Sequence, residues 1–393
     1  MKKIRVWIPL YGFYSYYGGA ERQAEKLSRE LSKLGVEITI ITTKAKEIIR
    51  EIEGLEGVNI KFLPCFYKGS KPFLKKLNSL IHLAELFVYL LWNNSKYDIL
   101  QNFFINNHTT VTVLCALITG KPVIIREANV SQSDKNKQNY EKNFIQKILY
   151  NLYRKSSAFI ALTEEIKEEL IEKFKFPPEK IFLIPNGVSL PEKTDRENSR
   201  QKLNLAADSI ISLIVAKLEK QKNYIQLFDA WKIVIESFPN AILLCLGDGI
   251  ERNYYEKYIK KIRCENNIIL VGTTDNIKDY YQAADLFILP SLYEGMSNAL
   301  LEAMSYGLPC IASNIRANEF LINHNENGLL FDLNEDNKEL ANIIVDLIKN
   351  SEFKLKLGKN AELKVKNYYI CNVAKKYYEL YRLLLINTGK FNI

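Results

Sequence analysis

The pattern that most constrains this chain is an alternation of strand-like and helix-like stretches that runs once, breaks, and starts again. Ile4–Leu10 reads as a buried strand, followed by the turn-rich run YGFYSYYGGA. A helix is expected from about Ala20 to Leu34, because Ala24, Leu27 and Leu31 recur on one face and Gly35 offers a stop. Val36–Thr42, Val58–Pro64, Asp98–Asn102, Pro122–Arg126 and Ala158–Leu162 read as further strands, with helical stretches among them. Strands alternating with helices predict β-α-β units and a parallel sheet. Phe182–Pro185 then leads into NGVSL. The stretch from about Ser189 to Gln201 is polar, contains Pro and is poor in apolar residues, and it is expected to be a linker. Beyond it the alternation restarts. Strands are expected at Ile210–Ala216, Ala241–Leu246, Ile268–Val271, Leu286–Pro290 and Pro309–Ala312. Helices are expected near Tyr224–Phe238, Tyr254–Cys264, Ile277–Ala284, Ala299–Tyr306 and Leu340–Lys349. The expected fold class is therefore α/β, with two Rossmann-like parallel-sheet domains facing a cleft. The length of 393 residues suits two domains at about 100–200 residues each. In such sheets ligands bind beyond the carboxyl ends of the strands.

Composition narrows the class. Apolar residues are 47% and charged residues 25% of the chain, which excludes disorder, collagen and coiled coil as the main state. A net charge of +9 suits an anionic partner such as a diphosphate or an acidic membrane without singling one out. The six cysteines include no C-x-x-C pair, and only three histidines are present, so neither a zinc site nor a disulfide framework is expected and a cytoplasmic compartment is. The N-terminal MKKIRVWIPLYG starts like a signal peptide, but Pro9 ends its apolar run, and a first strand is the better reading. Leu77–Trp92 is strongly apolar yet short of the ~20 residues needed to span a bilayer. With Lys68, Lys71, Lys75 and Lys76 before it, both a buried helix and a helix lying in an anionic membrane surface fit.

Three clusters carry candidate chemistry. In PSLYEGMSNALLEAMSYGLP, residues 290–309, a strand ends, a loop holds Glu294, Gly295, Met296, Ser297 and Asn298, and a helix opens whose N-terminus favours an anion. Glu302 lies one turn into that helix, so it and Glu294 can face one ligand; a capped helix with two solvated glutamates fits the same residues. In LIVAKLEKQKNY, residues 213–224, Lys217, Lys220 and Lys222 gather at a strand's carboxyl end, where they can hold a diphosphate or simply form a solvated basic turn. In SYYGGAERQ, residues 15–23, Gly18 and Gly19 stand between a strand and a helix, as a phosphate cradle or a plain left-handed turn.

Taken together these stretches resemble one family. EGMSNALLEAMSYGLP is similar to the E-x7-E signature of family 4 glycosyltransferases, retaining enzymes of the GT-B fold. GGAE, AKL-x-x-QKN, LIPNGV, LGDG and VG-x-T-x-x-I-x-x-YYQAADLFILPS follow the family's order over about residues 4 to 375. The resemblance implies an acceptor-binding domain at 1–188, a nucleotide-sugar donor domain at 189–370 and a C-terminal helix, 371–393, packing back on the first domain. It implies that Glu294 meets the donor sugar's hydroxyls and Glu302 the ribose diol. Gly295, Met296, Ser297 and Asn298 would present N–H groups to sugar and phosphates. Lys217 and Lys222 would stabilise the departing diphosphate, and Gly19 would lie in a loop closing over phosphates or acceptor. Thr273 and Ile277 are further donor-binding positions.

The chain departs from the family at Lys217, where Arg is usual, at Ser189, where Asp is usual, and at Ala128, which takes the place of a His that touches the donor sugar. Arg126, Glu127, Asn129 and His108 are the candidate acceptor or sugar contacts nearby. The expected function is a retaining, metal-independent hexosyltransferase. It would use a nucleotide-sugar, UDP-sugar favoured, with no cofactor and no nucleic-acid partner. The expected acceptor is a lipid-linked glycan at the inner face of the membrane, in cell-surface polysaccharide or glycoconjugate synthesis. A sugar-nucleotide epimerase and a non-catalytic nucleotide-sugar binder are the rival readings.

Overall fold

The structure is a computed structural model and describes residues 3–10, 13, 18–43, 57–64, 72–128, 144–333 and 337–389, apart from the side chains of 72–76. Asn129, Lys68, Lys71 and the side chains of Lys75 and Lys76 therefore lie outside the described residues. The chain forms two compact units, Met1–Gly187 with Ile370–Ile393, and Val188–Tyr369.

In the first unit the described strands are β1 (Arg5–Pro9), β2 (Glu37–Thr43), β3 (Val58–Leu63), β4 (Ile99–Asn102), β5 (Val123–Glu127), β6 (Ala158–Ala161) and β7 (Ile181–Leu183). They make one sheet in the order β3-β2-β1-β4-β5-β6-β7, and the recorded pairings are parallel. The direction of winding reverses between β1 and β4, as in doubly wound sheets. Strands covered on both faces read as near-continuous apolar runs, and VWIP of β1 is buried throughout. Helices α1 (Gly19–Lys33), α2 (Pro72–Trp92), α3 (Asn107–Thr119), α4 (Phe144–Tyr153) and α5 (Glu164–Glu172) connect or flank the strands. Arg5 ties β1 to the start of β4 through Nε and a terminal nitrogen on the two Asp98 oxygens, at 3.0 and 2.9 Å.

Helix α2 is the apolar stretch, and it is half-buried. It starts five residues earlier than Leu77, and one side of it is core: Leu86 and Leu90 are buried. The other side is open, with Val88 58% and Trp92 85% exposed. Among the described residues no helix is long and apolar enough to cross a membrane.

The second unit begins with α6 (Arg196–Lys202) and carries β8 (Ile211–Val215), α7 (Tyr224–Ser237), β9 (Ile242–Leu246), α8 (Arg252–Ile262), β10 (Ile268–Gly272) and α9 (Ile277–Ala283). β11 (Leu286–Leu289), α10 (Asn298–Ser305), β12 (Cys310–Ser313), α11 (Arg316–Glu319), β13 (Leu329–Phe331), α12 (Asn337–Lys349) and α13 (Ser351–Val365) follow. Its sheet runs β10-β9-β8-β11-β12-β13, again with parallel pairings and again reversing beside the first strand of the unit. Tyr224, Phe228 and Trp231 of α7 fill its core with Tyr255 of α8. The chain then returns to the first unit as α14 (Ile370–Asn387). Val373, Tyr377, Leu380, Tyr381 and Leu384 repeat every three or four residues and join Val6, Ile8, Leu27 and Leu31 in one core.

One expectation is corrected. Residues 189–201 do not form a linker throughout: Asp195 caps α6 by accepting the Asn198 N–H at 3.0 Å, and α6 packs on α9. Arg200, which made the stretch look like solvated chain, is buried, and its guanidinium donates to Asp285 at 2.8 Å and to the Ala207, Ser209 and Ala283 carbonyls. A strongly polar segment thus belongs to the body of the unit because its charge satisfies buried acceptors.

Candidate functional site

Two loops at the carboxyl ends of neighbouring strands build the site in the second unit. The first follows β8. Ala216-Lys217-Leu218 runs against the loop after β9: Ala216 N donates to Leu246 O at 2.9 Å and Leu218 N to Asp248 O at 3.1 Å. This approach needs glycine in LGDG. A Cβ on Gly247, which has φ +130°, would stand 2.1 Å from Ala216 O, and one on Gly249 would stand 2.4 Å from Leu218 O. The loop then makes one tight turn through Lys220–Lys222 and reaches Asn223 at φ +53°, a left-handed conformation that Asn tolerates, before α7 begins.

The second loop follows β11 and is zipped to that turn. Leu292 N donates to Gln221 O, and Gln221 Nε2 to Tyr293 O, each at 2.8 Å. The pairing brings Lys222 Nζ to 2.5 Å from Glu294 Oε1, with the two side chains 17% and 9% exposed. Ser291 Oγ donates to the same Oε1 at 2.7 Å. Both donors converge on one oxygen, and none of the described residues donates to Oε2. Ser291 is itself held: its carbonyl accepts from Ser313 Oγ at 2.6 Å, and Ser313 Oγ accepts from Asn318 Nδ2 at 3.2 Å. Ser291, Ser313 and Asn318 are fully buried and were not singled out in the sequence, where 22 residues separate the two serines.

Past Glu294, Gly295, Met296 and Ser297 are buried, and Ser297 caps α10 by accepting the Leu300 N–H at 3.2 Å. The helix therefore points its positive end towards the loop that carries Glu294. Glu302 lies on α10, where Tyr281 donates its hydroxyl to Glu302 Oε2 at 3.1 Å. The Tyr306 ring stacks on Tyr281 with centroids 5.3 Å apart. Burial, reinforced by the Glu302 charge, pushes the Tyr306 hydroxyl up to about 12, so it stays neutral. Asn298 opens the helix; Thr273 lies exposed on the loop between β10 and α9, and Ile277 is the first residue of α9. Lys217 stands apart from the pair: its side chain is 68% exposed and its ion-pair partner, at 4.0 Å, is Glu219. Among the described residues no group of three or more His, Cys, Asp and Glu is placed to hold a metal ion.

The residues expected to act in the first unit are more committed to structure. Gly18 N donates to the Glu21 carboxylate at 3.0 Å, closing the start of α1, with Gly19 as the first helical residue. Gly18 has φ −94°, so the left-handed turn that the sequence left open does not occur there. Arg126 is corrected as a substrate contact. It is 3% exposed, donates to Phe103 O at 3.3 Å and to Asn186 Oδ1, and lies over the Phe103 ring. Burial lowers its pKa against the opposing influence of Tyr377 and Glu127. His108 is corrected likewise. It is half-buried and packs 5.3 Å from His82, and burial, with His82 adding, brings it down to about 4, which leaves a neutral ring at ordinary pH. Glu127 is half-buried at the end of β5 and accepts the Ala128 N–H at 3.0 Å.

Two family models match the chain. Residues 17–191 match Glycosyltransferase Family 4 and residues 195–364 match Glycosyl transferases group 1, and between them they take up most of the sequence. An Escherichia coli UDP-Gal:alpha-D-GlcNAc-diphosphoundecaprenol alpha-1,3-galactosyltransferase is 29% identical over 344 residues, 84% of this chain and 86% of its own length. A Campylobacter jejuni N-acetylgalactosamine-N,N'-diacetylbacillosaminyl-diphospho-undecaprenol 4-alpha-N-acetylgalactosaminyltransferase is 26% identical, covering 86% of this chain and 88% of its own. Among solved structures, Anabaena HepE in complex with UDP and glucose matches with a TM-score of 0.79 at 19% identity, over 96% of this chain and 99% of its own. That likeness speaks for the fold.

Proposed function

The chain belongs to family 4 of the glycosyltransferases, and on that premise we propose that it transfers a hexosyl group from a UDP-sugar to a lipid-linked glycan, with retention at the anomeric carbon and without a divalent metal. The observation that carries the donor assignment is the Lys222–Glu294 pair, set at the carboxyl ends of β8 and β11. Lys222 is a fixed positive charge for the departing diphosphate. A charge held in place before the reaction does not have to reorganise as the leaving group develops, and removing one such donor typically costs about 2.7–4 kcal/mol. Glu294 keeps Oε2 for a hydroxyl of the donor sugar, and Glu302 takes the ribose diol. Gly295 to Asn298 and the positive end of α10 face the phosphates, and Lys217, on its exposed arm, adds charge once diphosphate is bound. Thr273 and Ile277 complete the donor contacts of the second unit, and Glu127 of the first contacts the acceptor.

Two relatives named for alpha linkages to undecaprenyl-diphosphate glycans support both the retention and the acceptor class. That acceptor places the work at the cytoplasmic face of a membrane, in polysaccharide or glycoconjugate assembly.

The test is a panel of UDP-sugars incubated with purified protein and a glycan on a prenyl diphosphate, with the product's anomeric configuration read by NMR. One UDP-sugar should give an alpha-linked product at an undiminished rate in EDTA. A beta product overturns retention. Loss of activity in EDTA, restored by one added metal, overturns metal independence. Isomerised sugar formed from donor alone identifies an epimerase instead.

A further inference from the structure

Strand β3 and helix α2 enclose a groove of about 600 Å³ on the first unit, within the roughly 300–1,000 Å³ of small-molecule sites. Leu63, Pro64, Ile81, Val88, Tyr89 and Trp92 form most of its wall. From Ile81 to Trp92 it follows three turns of α2, about 16 Å at the rise of a helix. One side of it is fixed in place: Tyr89 stacks on Trp7 of β1 with centroids 5.6 Å apart. The far side is open to solvent, since Val88 is 58% and Trp92 85% exposed. Apolar surface of this kind on a water-facing helix costs free energy unless something covers it.

Polar lining is scarce. Asn93 closes one end, and Glu85 is the one ionisable carboxyl on the wall. Burial raises the Glu85 pKa, which favours its uncharged form beside an apolar ligand. A cation stands next to the groove: Lys61 Nζ lies 5.9 Å from the centre of the Tyr89 ring. An elongated, mostly apolar trough with a lysine beside it complements a molecule that is hydrocarbon over its length and anionic at one end.

We propose that this groove seats the hydrocarbon chain of a prenyl-diphosphate-linked acceptor, with Lys61 beside its diphosphate. The proposal rests on the acceptor class given above and deepens it by naming where the carrier is held. It makes the groove a specificity element: each CH2 it covers is worth about 0.8 kcal/mol, so a few isoprene units outweigh a tenfold change in affinity.

The test compares one glycan diphosphate carried on a short prenyl chain with the same glycan diphosphate capped by a methyl group, both as acceptors and as ligands in thermal-shift titrations. Wild type should show a KM at least about tenfold lower for the prenyl acceptor. Ile81→Asp and Val88→Asp replace exposed rim residues, so the fold should survive. Both should erase that preference while leaving KM and kcat for the methyl-capped acceptor unchanged. Ile118→Asp, an exposed apolar position on α3 that does not line the groove, is the control and should keep the preference. Equal KM values in wild type overturn the proposal. So does a preference that survives both groove variants, or one that Ile118→Asp abolishes equally, which would make a bilayer surface the occupant. A concentration-dependent dimer in wild type that Val88→Asp converts to monomer would make a second copy the occupant. If neither acceptor is glycosylated while the prenyl compound still stabilises wild type and not Val88→Asp, the groove stands and the transferase assignment is what has failed.

Discussion

At the scale of single residues the site turns on one carboxylate oxygen. Glu294 Oε1 receives both Lys222 Nζ and Ser291 Oγ, so the carboxylate is fixed by two donors and aimed by neither alone. Lys222→Ala is expected to lower kcat by about a hundredfold to a thousandfold, the equivalent of about 2.7–4 kcal/mol, while Lys222→Arg recovers part of it. Equal rates in wild type and folded Lys222→Ala would remove the lysine from the reaction. Ser291 is a positioning residue. A hydrogen bond to a charged group is worth about 1.5–3 kcal/mol, so Ser291→Ala should cost at least about tenfold in kcat, with nucleoside diphosphate affinity unchanged and Ser291→Thr restoring activity. Parallel losses of kcat and nucleotide affinity, without rescue by Thr, would mean that the serine serves the loop rather than Glu294. Lys222 and Glu294 were legible because motif spacing exposes them in one dimension. Ser291, Ser313 and Asn318 were not, since the line they form exists only when the loop after β11, the end of β12 and helix α11 meet. Arg126 and His108 misled for the opposite reason. Polar residues near the end of a strand and the start of a helix look like ligands in sequence, yet these two serve the unit's own interior.

Among the elements, the strands that pass through the middle of each sheet were readable within a residue or two, because burial on both faces leaves an unbroken apolar run. β7 and β13 escaped notice. Each has three residues, too few to stand out as a run, and each is held at the edge of its sheet by a neighbour that sequence does not show. α6 was read as linker because composition speaks for solvent exposure only when charges are solvated, and Arg200 is not. Its guanidinium donates to Asp285, whose Oδ2 also accepts the Ile211 N–H at 2.8 Å, so one carboxylate joins α6 to the start of β8. Asp285 also pairs with Arg196, so removing Arg200 costs chiefly through the buried Ser209 and Ala283 carbonyls left without their donor, at about 1–3 kcal/mol for each. Arg200→Met should therefore lower unfolding free energy by several kcal/mol in urea, whereas Asp195→Ala, which only removes the cap, should cost about 1 kcal/mol. A loss below about 1 kcal/mol for Arg200→Met would show that α6 is dispensable to the unit.

At the scale of the whole molecule, both ends of the chain close into one unit: β1 near the start and α14 near the end share a core. Acid should attack that unit through its histidines. His108 titrates near 4 in the folded chain against about 6.5 when unfolded, and His82 is lowered too, by burial, with the Pro64 carbonyl opposing. Between those values the unfolded chain binds a proton that the folded chain refuses. Stability therefore falls as pH drops from about 6.5 towards 4, and levels off below the folded value. For His108 the full loss is roughly 3 kcal/mol. Charging it is opposed twice over, because it stands in the first turn of α3, where the helix dipole repels a cation, and because the neighbouring ring is another imidazole. Asp98 does not share this window. Burial opposes its ionisation, but the hydrogen bonds from Arg5 outweigh burial and hold the carboxyl below its usual range, so its contribution is lost only below about pH 4. The measurement is the thermal midpoint from pH 7.5 to 4.5 for wild type and His108→Phe. The variant keeps the helix cap, since it is the backbone N–H of residue 108 that donates to Asn106 Oδ1 at 2.9 Å. Wild type should lose stability steadily below about pH 6.5, and His108→Phe should show a shallower slope over the same range. Identical slopes would mean that the ring reaches water readily enough to take its proton at the ordinary pH, and that the His82–His108 pair does not set the acid limit of the fold.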